Sequence, residues 1–166
     1  YSGRFIGNRG FMVTFSDVDT LFTIDLSDPG KPFIAGSIEI PGYAEYIHPV
    51  DTNHLVTIGR EVTETEGLDG SKSMVSGGIL LSLFDITDFS NPKLVNTTVI
   101  GDKNSTSEAS GNHNAFTFWS EKNLLAIPVS MVDTQANEFS FNGLYIYHVS
   151  NESGFELKGR LNTKTD

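Results

Sequence analysis

The segment FTIDLSDPGKPFI, residues 22–34, recurs along the chain as SLFDITDFSNPKL, residues 82–94. In both copies an apolar run ends in an Asp-x-x-Asp turn, which a proline and a second apolar run follow. Asp25 and Asp85 lie 60 positions apart, as do the second aspartates and the prolines of the two copies. A period of this length indicates stacked supersecondary units, each too small to bury its own apolar face.

A third and more divergent copy of this segment is LYIYHVSNESGFEL, residues 144–157. His148 and Asn151 stand where the earlier copies have aspartates, and His148 follows Asp85 by 63 positions. The chain is therefore predicted to contain three related units. They span approximately residues 1–42, 43–101 and 113–162.

Each unit is predicted to contain four β-strands. Short apolar runs alternate with turn residues, and no window of eleven or more residues places apolar side chains at helical spacing. In the middle unit the third strand, predicted at residues 79–86, is almost continuously apolar, as expected for a strand covered on both faces. The fourth, at residues 93–100, mixes polar and apolar residues like an outer strand. In the last unit the first strand is predicted at residues 113–118.

Three polar residues are predicted to have a structural role in the turn between the third and fourth strands. Asp28 and Asp88 can accept hydrogen bonds from backbone amides two residues on, and Asn151 can do the same in the last unit. Pro32 and Pro92 follow at the start of the fourth strand, where a missing amide is tolerated at a sheet edge. These residues are therefore interpreted as structural turns.

Four-stranded antiparallel sheets repeated along a chain are typical of β-propellers. We therefore predict an all-β fold in which residues 1–166 form a single domain, a β-propeller segment of about three four-stranded antiparallel blades. Because propellers need roughly four to eight blades to close, the ring is predicted to be incomplete. A β-sandwich is the main alternative fold, but a sandwich does not require a repeat of about 60 residues.

Several stretches of the chain resemble a known family. Residues 4–15, 19–29, 40–49, 113–117 and 141–143 are similar to the prokaryotic secreted β-propeller domain family that is distantly related to WD-40 repeats. The resemblance covers essentially the whole chain. It implies an exported or surface-anchored archaeal or bacterial protein with further blades upstream, and it implies no established activity and no catalytic residues.

Composition narrows the classes of partner. The chain has 166 residues, of which 38% are hydrophobic, enough for one domain with a packed core. Its 11 basic and 21 acidic side chains give a net charge of −10, which disfavours nucleic acid and anionic membranes and favours cations or basic partners. The chain has no cysteine, so disulfides and thiolate metal sites are excluded. The sequence contains no apolar run of about 18 residues, so no membrane-spanning helix is predicted.

The predicted location is extracytoplasmic, either secreted or attached to the cell surface. The chain begins at Tyr1 rather than methionine and is expected to be a piece of a longer protein. Asn96, Asn104 and Asn151 lie in Asn-x-Ser/Thr triplets, which would be glycosylation acceptors in an exported protein. An incomplete ring leaves apolar blade faces exposed, so either upstream blades or self-association, for example of two three-blade arcs, is expected to complete it.

Three long connections, predicted to be structureless loops, lie at residues 60–78, 100–112 and 130–142. In a four-stranded meander these connections emerge on the same side, so they are expected to crowd one rim. Long loops on a rigid scaffold commonly carry binding sites. This rim contains the candidate binding residues Glu61, Glu64, Glu66, Asp69, Asp102, Glu108, Asp133 and Glu138. The alternative interpretation is an ordinary solvated surface.

Catalytic and metal-binding signatures are weak. The sequence has no nucleophile elbow, phosphate loop or dinucleotide fingerprint, so no catalytic residue and no cofactor is predicted. The histidines share no metal-binding spacing, and His113 is interpreted as a structural histidine that begins a first strand. Calcium remains a candidate ion, although Asp17-Val18-Asp19 is too short to form a cage by itself.

The favoured function is non-catalytic binding of a protein or a surface glycan through the long-loop rim. Tyr43, Tyr46 and Trp119 are candidates for a carbohydrate-binding surface. The alternative, from a different class, is a metal-dependent hydrolase or lyase of the propeller type with Asp, Glu and His ligands.

Overall fold

The computed structural model describes residues 2–14, 19–66, 69–133 and 138–163, without the side chains of residues 133 and 138. These residues form strands and short 3-10 helices. The strands are β1 (Ser2–Ile6), β2 (Arg9–Thr14), β3 (Thr20–Asp25), β4 (Phe33–Glu39), β5 (Tyr43–Pro49), β6 (His54–Glu66), β7 (Lys72–Asp85), β8 (Lys93–Ile100), β9 (Thr117–Trp119), β10 (Leu124–Asp133), β11 (Glu138–Ser150) and β12 (Gly154–Asn162).

The strands form three antiparallel sheets of four, each ordered as in the chain: β1 to β4, β5 to β8 and β9 to β12. Each strand therefore pairs with its sequence neighbour, which makes every sheet a simple meander. The first strands of the first two sheets lie beside each other, as do the fourth strands of the last two. The fold is all-β and is consistent with an incomplete propeller of three blades, as predicted.

The core lies between the blades. Successive side chains of a β-strand point to opposite faces of its sheet. In the middle blade, one face packs against the first blade and the other against the third. Leu55 and Phe84 pack against the first blade, whereas Val56 and Leu83 pack against the third. Residues 78–84 of β7 are all buried, which confirms the predicted third strand covered on both faces. Because one sheet is covered by two different sheets, the two-layer sandwich alternative is wrong.

The predicted first strand of the last blade, residues 113–118, is largely wrong. Only Thr117–Trp119 is a strand, and His113–Ala115 form a 3-10 helix. The side chain of Asn112 caps this helix by accepting a hydrogen bond from the amide of Asn114 at 3.1 Å. An asparagine at this position favours a helical turn over an extended chain because its side chain satisfies a free backbone donor. His113 is exposed and lies in the helix, so it does not begin a strand.

Two connections predicted to be structureless are in fact extended β-hairpins. Strands β6 and β7 continue beyond the body of the middle blade until Glu66 pairs with Lys72, and β10 and β11 continue until Asp133 pairs with Glu138. β-Branched residues at 62, 63 and 65 favour the extended conformation. The third connection, residues 100–112, contains the 3-10 helix Glu108–Ser110.

The turn that defines the repeat has the predicted geometry in the first two blades. Asp28 accepts a hydrogen bond from the amide of Gly30 at 3.0 Å, and Asp88 accepts one from the amide of Ser90 at 3.1 Å. In the third blade Ser150 Oγ accepts a hydrogen bond from the amide of Ser153 at 3.0 Å. The hydroxyl of Ser150 therefore closes this turn, where the sequence predicts the side chain of Asn151. The turn requires an oxygen acceptor near its start, which a serine also supplies.

Each outer strand contains a β-bulge at the same position of the repeat. The pairing of β3 with β4 leaves Ala35 without a partner, and Val95 in β8 and Lys158 in β12 are left out in the same way. These residues are 60 and 63 positions apart, the spacing of the turns. Because a bulge bends its strand and increases the local twist, the outer strands all curve at one level.

A buried carboxylate joins the first two blades. Asp19 is 1% exposed, and its Oδ2 atom accepts a hydrogen bond from the amide of Ala44 in β5 at 3.0 Å. Burial raises the pKa of this carboxyl group above its usual value. Asp19 therefore fixes the start of the second blade against the end of the connection that leads into β3.

Candidate functional site

The three predicted long connections lie close together at their bases. A Cβ atom built on Gly78 would lie 2.6 Å from the carbonyl oxygen of Ile100, so the first hairpin begins beside the connection between blades. Within that connection Thr106 forms a β-bridge with Ser130, at the base of the second hairpin. We call residues 60–78, 100–112 and 130–142, where described, the hairpin rim. The opposite end of the blades, which carries the tight turns, is the turn rim.

The first four acidic candidates lie along the hairpin formed by β6 and β7. Glu61 is half-buried at an irregularity in the strand pairing. Glu64 and Glu66 are exposed on one face of the hairpin, and Glu64 forms an ion pair with Lys72 at 2.5 Å. Asp69, in the turn, accepts hydrogen bonds from the hydroxyl and the amide of Ser71, which lower the pKa of its carboxyl group.

The other four acidic candidates lie in the remaining two segments. Asp102 is exposed and accepts a hydrogen bond from the amide of Asn104 at 2.8 Å. Glu108 accepts one from the side-chain amide of Asn112 at 2.7 Å. Asp133 and Glu138 are paired in register near the end of the second hairpin, and their side chains lie outside the described part of the structure.

The acidic residues are spread along three segments rather than gathered around one point. Within the described residues no group of three or more His, Asp or Glu side chains could hold a metal ion. Asp17 and Val18, part of the calcium candidate, lie outside the described residues, and Asp19 faces the interface between blades. The geometry of the rim is therefore that of a broad, negatively charged surface.

Exposed apolar side chains on the hairpin rim are a feature that the sequence analysis missed. Met74 and Val75 of β7 are 59% and 42% exposed. Met74 pairs with Glu64 and therefore shares its face with Glu66 and Lys72. The sequence contains a signal, because the apolar pair Met74 and Val75 lies within a segment predicted to be a structureless loop. Both side chains are exposed because the hairpin carries them beyond the body of the blade.

A small cavity lies at the base of the second hairpin. It has a volume of about 160 Å³, and its lining includes Gly101, Ser105 and Met131. Ligand pockets for drug-sized molecules are typically roughly 300–1,000 Å³. This cavity is therefore smaller than the pockets that usually hold drug-sized molecules.

The four histidines lie in four different environments. His48, on the first strand of the middle blade, stacks on Phe116 with ring centroids 4.7 Å apart, and burial lowers its pKa. His54 contacts Asp51 at the turn rim. His113 is exposed in its helix, and His148 faces outward from the third blade, where it pairs with Leu124 across the sheet. The fold does not bring these residues together.

The three aromatic residues considered for carbohydrate binding are also separated. Tyr43 begins β5 at the hairpin rim, whereas Trp119 ends β9 at the turn rim. The hydroxyl of Tyr46 lies 3.2 Å from Nδ1 of His48, and the guanidinium group of Arg4 covers its ring. These residues do not form a common aromatic platform.

A further structural finding concerns the helices. In the described part of the chain, none has the length and apolar character needed to cross a membrane.

Comparison with known proteins agrees with this architecture. A family model described as "Beta propeller domain" matches residues 1–166. An uncharacterized protein of Archaeoglobus fulgidus is 37% identical over 128 residues, which cover 77% of this chain and 18% of that protein. An uncharacterized protein of Methanocaldococcus jannaschii is 36% identical over 95 residues, 57% of this chain and 13% of that protein.

The chain thus spans less than one fifth of the length of these archaeal relatives. The family model and the resemblance predict repeated four-stranded meanders. The structure contains three of them, with interfaces that bury alternate side chains. The match of the family model over the whole chain and the architecture of the three blades give the same assignment: the chain belongs to the β-propeller domain family.

Proposed function

We propose that this chain is an extracytoplasmic, non-catalytic propeller module that binds another protein through its hairpin rim. The observation that carries the proposal is the long hairpin of β6 and β7, which extends beyond the body of its blade. Its residues from Thr63 to Glu66 and from Lys72 to Ser76 are exposed. A projecting hairpin with exposed side chains, which we call the arm, is well placed to contact a partner.

The surface chemistry of the arm favours a protein as the partner. One face combines two carboxylates, Glu64 and Glu66, with the apolar Met74. Methionine is adaptable in shape and is common at binding surfaces. The aromatic platform that would favour a glycan is not formed by Tyr43, Tyr46 and Trp119. A partner with basic groups around an apolar centre fits this face best.

The proposed location outside the cytoplasm is supported by the resemblance to secreted prokaryotic propellers. One of the three glycosylation triplets is unsuited to modification after folding. The side-chain oxygen of Asn96 accepts a hydrogen bond from the amide of Phe155 at 3.2 Å, within the interface between the second and third blades. Asn151, which is exposed in the third turn, is the acceptor that remains most accessible.

The test compares two matched triple variants of the chain. The first changes the arm: Glu64→Gln, Glu66→Gln and Met74→Ser. The control makes the same kinds of change near the turn rim: Glu152→Gln, Glu156→Gln and Leu157→Ser. The control is matched because Glu156 also forms an ion pair with a lysine, at 2.5 Å, and Leu157 is 46% exposed.

The probe is isolated cell envelope from an archaeon that encodes such a protein, either untreated, digested with protease or oxidised with periodate. We expect purified wild-type chain to bind untreated envelope, with binding that weakens at high salt because the contact includes exposed charges. Protease digestion and the arm variant should abolish binding, and the control variant should preserve it. Equal binding by the two variants would contradict the role of the arm, and loss only after periodate would identify a glycan instead.

The metal-dependent enzyme is tested with the same protein preparation. Protein purified without chelator is analysed for metal content, and its thermal unfolding is measured with calcium and with EDTA. A ligand that binds the folded state raises the unfolding temperature. We expect no stoichiometric metal and equal unfolding temperatures. A bound metal with a marked shift would refute the non-catalytic proposal in favour of the hydrolase or lyase class.

A further inference from the structure

The arm has a strand edge that no described strand covers. In the body of the middle blade β6 lies between β5 and β7, and its pairing with β5 ends where Tyr43 meets Arg60. Its pairing with β7 continues until Glu66 meets Lys72. From Val62 to Glu66, β6 therefore pairs on one side only within the described part of the chain. We call the other side of these residues the open edge.

A side-chain contact shows which residues direct their backbone groups to the open edge. The hydroxyl of Thr65 donates to the carbonyl oxygen of Ser73 at 3.2 Å, so this oxygen points toward β6. Thr65 and Ser73 therefore form a hydrogen-bonded pair. Because such pairs alternate with pairs that are not hydrogen-bonded along an antiparallel ladder, Val62, Glu64 and Glu66 turn their N–H and C=O groups away from β7.

The base of the arm shows the same alternation. A Cβ atom built on Gly42 would collide with the carbonyl oxygen of Arg60, so this oxygen points to the β5 side of β6. Between the pairs Arg60–Ile79 and Val62–Ser76, β6 advances by two residues and β7 by three. The extra residue is therefore on β7, and the alternation along β6 is preserved. Beyond the end of β5, the open edge continues the row of donors and acceptors that β5 uses in the blade body.

The side chains on the open edge are acidic. Val62, Glu64 and Glu66 share one face of the arm because alternate residues of a strand point the same way. Glu64 and Glu66 are exposed, and Val62 is half-buried at the base. The described residues of the arm contain four carboxylates and one basic side chain: Glu61, Glu64, Glu66, Asp69 and Lys72. A strand that pairs here therefore meets negative charge at alternate positions.

This charge disfavours a second copy of the chain at the open edge. If two open edges paired with each other in antiparallel fashion, their glutamates would face one another, and like charges directly opposite are destabilising. Another blade is not expected there either, because both faces of the middle blade are already covered within this chain. Leu55 packs against the first blade and Val56 against the third. An extended segment with basic side chains fits the edge best.

We propose that the open edge binds an extended, basic segment of a partner protein by antiparallel β-strand addition. The inference rests on the proposed function, since it states how the arm holds its protein partner. Main-chain hydrogen bonds to Val62, Glu64 and Glu66 supply affinity, and the two carboxylates select basic side chains at alternate positions. Read from its N-terminus, the segment places a basic residue opposite Glu66, a second opposite Glu64 and an apolar residue opposite Val62.

NMR spectroscopy of the nitrogen-15-labelled chain with the synthetic peptide Thr-Arg-Thr-Arg-Thr-Val-Thr tests the proposal. In the free chain the amides of Val62, Glu64 and Glu66 should exchange with solvent faster than that of Thr65. The peptide should shift the resonances of these three amides and slow their exchange. A peptide that leaves them unprotected would overturn the proposal. So would slow exchange without peptide that increases with protein concentration, because a second copy then covers the edge.

Two N-methylated peptides separate strand addition from simple attraction between charges. One carries N-methyl groups on both arginines and the valine, whose amides face the open edge. The other carries the same number of N-methyl groups on threonines, whose amides face away from it. The first should give no protection, and the second should protect the three amides like the unmodified peptide. Equal behaviour of the two would refute strand addition, since both peptides have the same charge.

Paired variants test the role of the carboxylates. Glu64→Gln combined with Glu66→Gln should weaken peptide binding about two- to thirtyfold, because each facing pair of opposite charges contributes modestly. Glu152→Gln combined with Glu156→Gln removes two carboxylates near the turn rim and should leave binding unchanged. Equal weakening by the two double variants would contradict selection by the open edge.

The envelope assay distinguishes failure of this inference from failure of the proposed function. Envelope binding that requires the arm, without protection of the three amides by the peptide, refutes strand addition and leaves the proposed function standing. Protection by the peptide together with envelope binding that does not require the arm refutes the proposed function and leaves strand addition standing. We expect both protection of the amides and binding that depends on the arm.

Discussion

Gly36 and Gly159 each directly follow the bulge of their outer strand, and the different surroundings of these two equivalent positions predict different effects of the same substitution. Gly36→Ala places a methyl group 2.6 Å from the carbonyl oxygen of Ser90, well inside the contact distance of about 3.5–4.0 Å between non-bonded heavy atoms. The obstacle is backbone held by its own turn, so it cannot rotate away like a side chain. Gly159→Ala adds the same methyl group where no described atom lies within 4 Å.

The magnitudes follow from two opposing terms. Overpacking of this kind costs about 1–3 kcal/mol. Replacing glycine by alanine restricts the unfolded chain and contributes about 0.4–1 kcal/mol to stability where the backbone allows it. Gly36→Ala should therefore lower the free energy of unfolding by about 1–2 kcal/mol. Gly159→Ala should leave it unchanged or raise it by about 0.5 kcal/mol.

Urea denaturation of dilute protein measures both values. The midpoint should fall for Gly36→Ala and stay level or rise for Gly159→Ala. Equal slopes with respect to urea concentration show that the change is one of stability rather than of the unfolded state. Equal destabilisation by both substitutions would refute the assignment of Gly36 as a position of backbone contact between blades.

Two further predictions concern the turns and the second interface. Hydrogen bonds from Thr87 lower the pKa of Asp85, so the stability it contributes is present above the unfolded pKa of about 3.9 and is lost as pH falls through the lower folded value. Asp85→Asn should therefore lose less stability than the wild type between about pH 6 and pH 3 in urea titrations, and parallel losses would contradict this. Asn96→Ala leaves the amide of Phe155 without its acceptor and should lower the free energy of unfolding by about 1–2 kcal/mol in thermal denaturation. Asn151→Ala, at an exposed position, is the control, and an equal effect would argue against the interface role.

Most of the fold could be predicted from the sequence because it is determined by local and repeated features. The spacing of Asp25 and Asp85 defined the unit, and the continuous apolar run of β7 identified a strand covered on both faces. The bulges at Ala35, Val95 and Lys158 could not be predicted, since they leave no apolar or turn signature. The predicted extent of the first strand of the last blade is wrong, because the side chain of Asn112 caps a helical turn there and so disfavours the extended conformation.

The candidate site was less predictable because its parts are contributed by separate connections. The sequence placed three insertions on one side of the meander, but their contact through Gly78 and Ile100 depends on packing between blades. The sequence predicts a structureless loop at residues 60–78, whereas the structure has a hairpin in which Glu66 pairs with Lys72. Met74 is exposed because the hairpin carries it away from both hydrophobic clusters.

Comparison of the three blades supports the proposal that binding takes place at the hairpin rim rather than at the blade bodies. In the bodies, the polar partners change while the contact remains: Asp28, Asp88 and Ser150 all close the same turn, and Thr23 and Asn96 both anchor the next blade. These changes are compensated within the packed interfaces, so the blade bodies can vary without creating a new surface. At the hairpin rim the lengths of the hairpins differ. The hairpin of β6 and β7 is longer than that of β10 and β11, and both extend beyond the bodies of their blades. Residues 63–66 and 72–76 of the longer hairpin are exposed, so their side chains are available for contact with a partner.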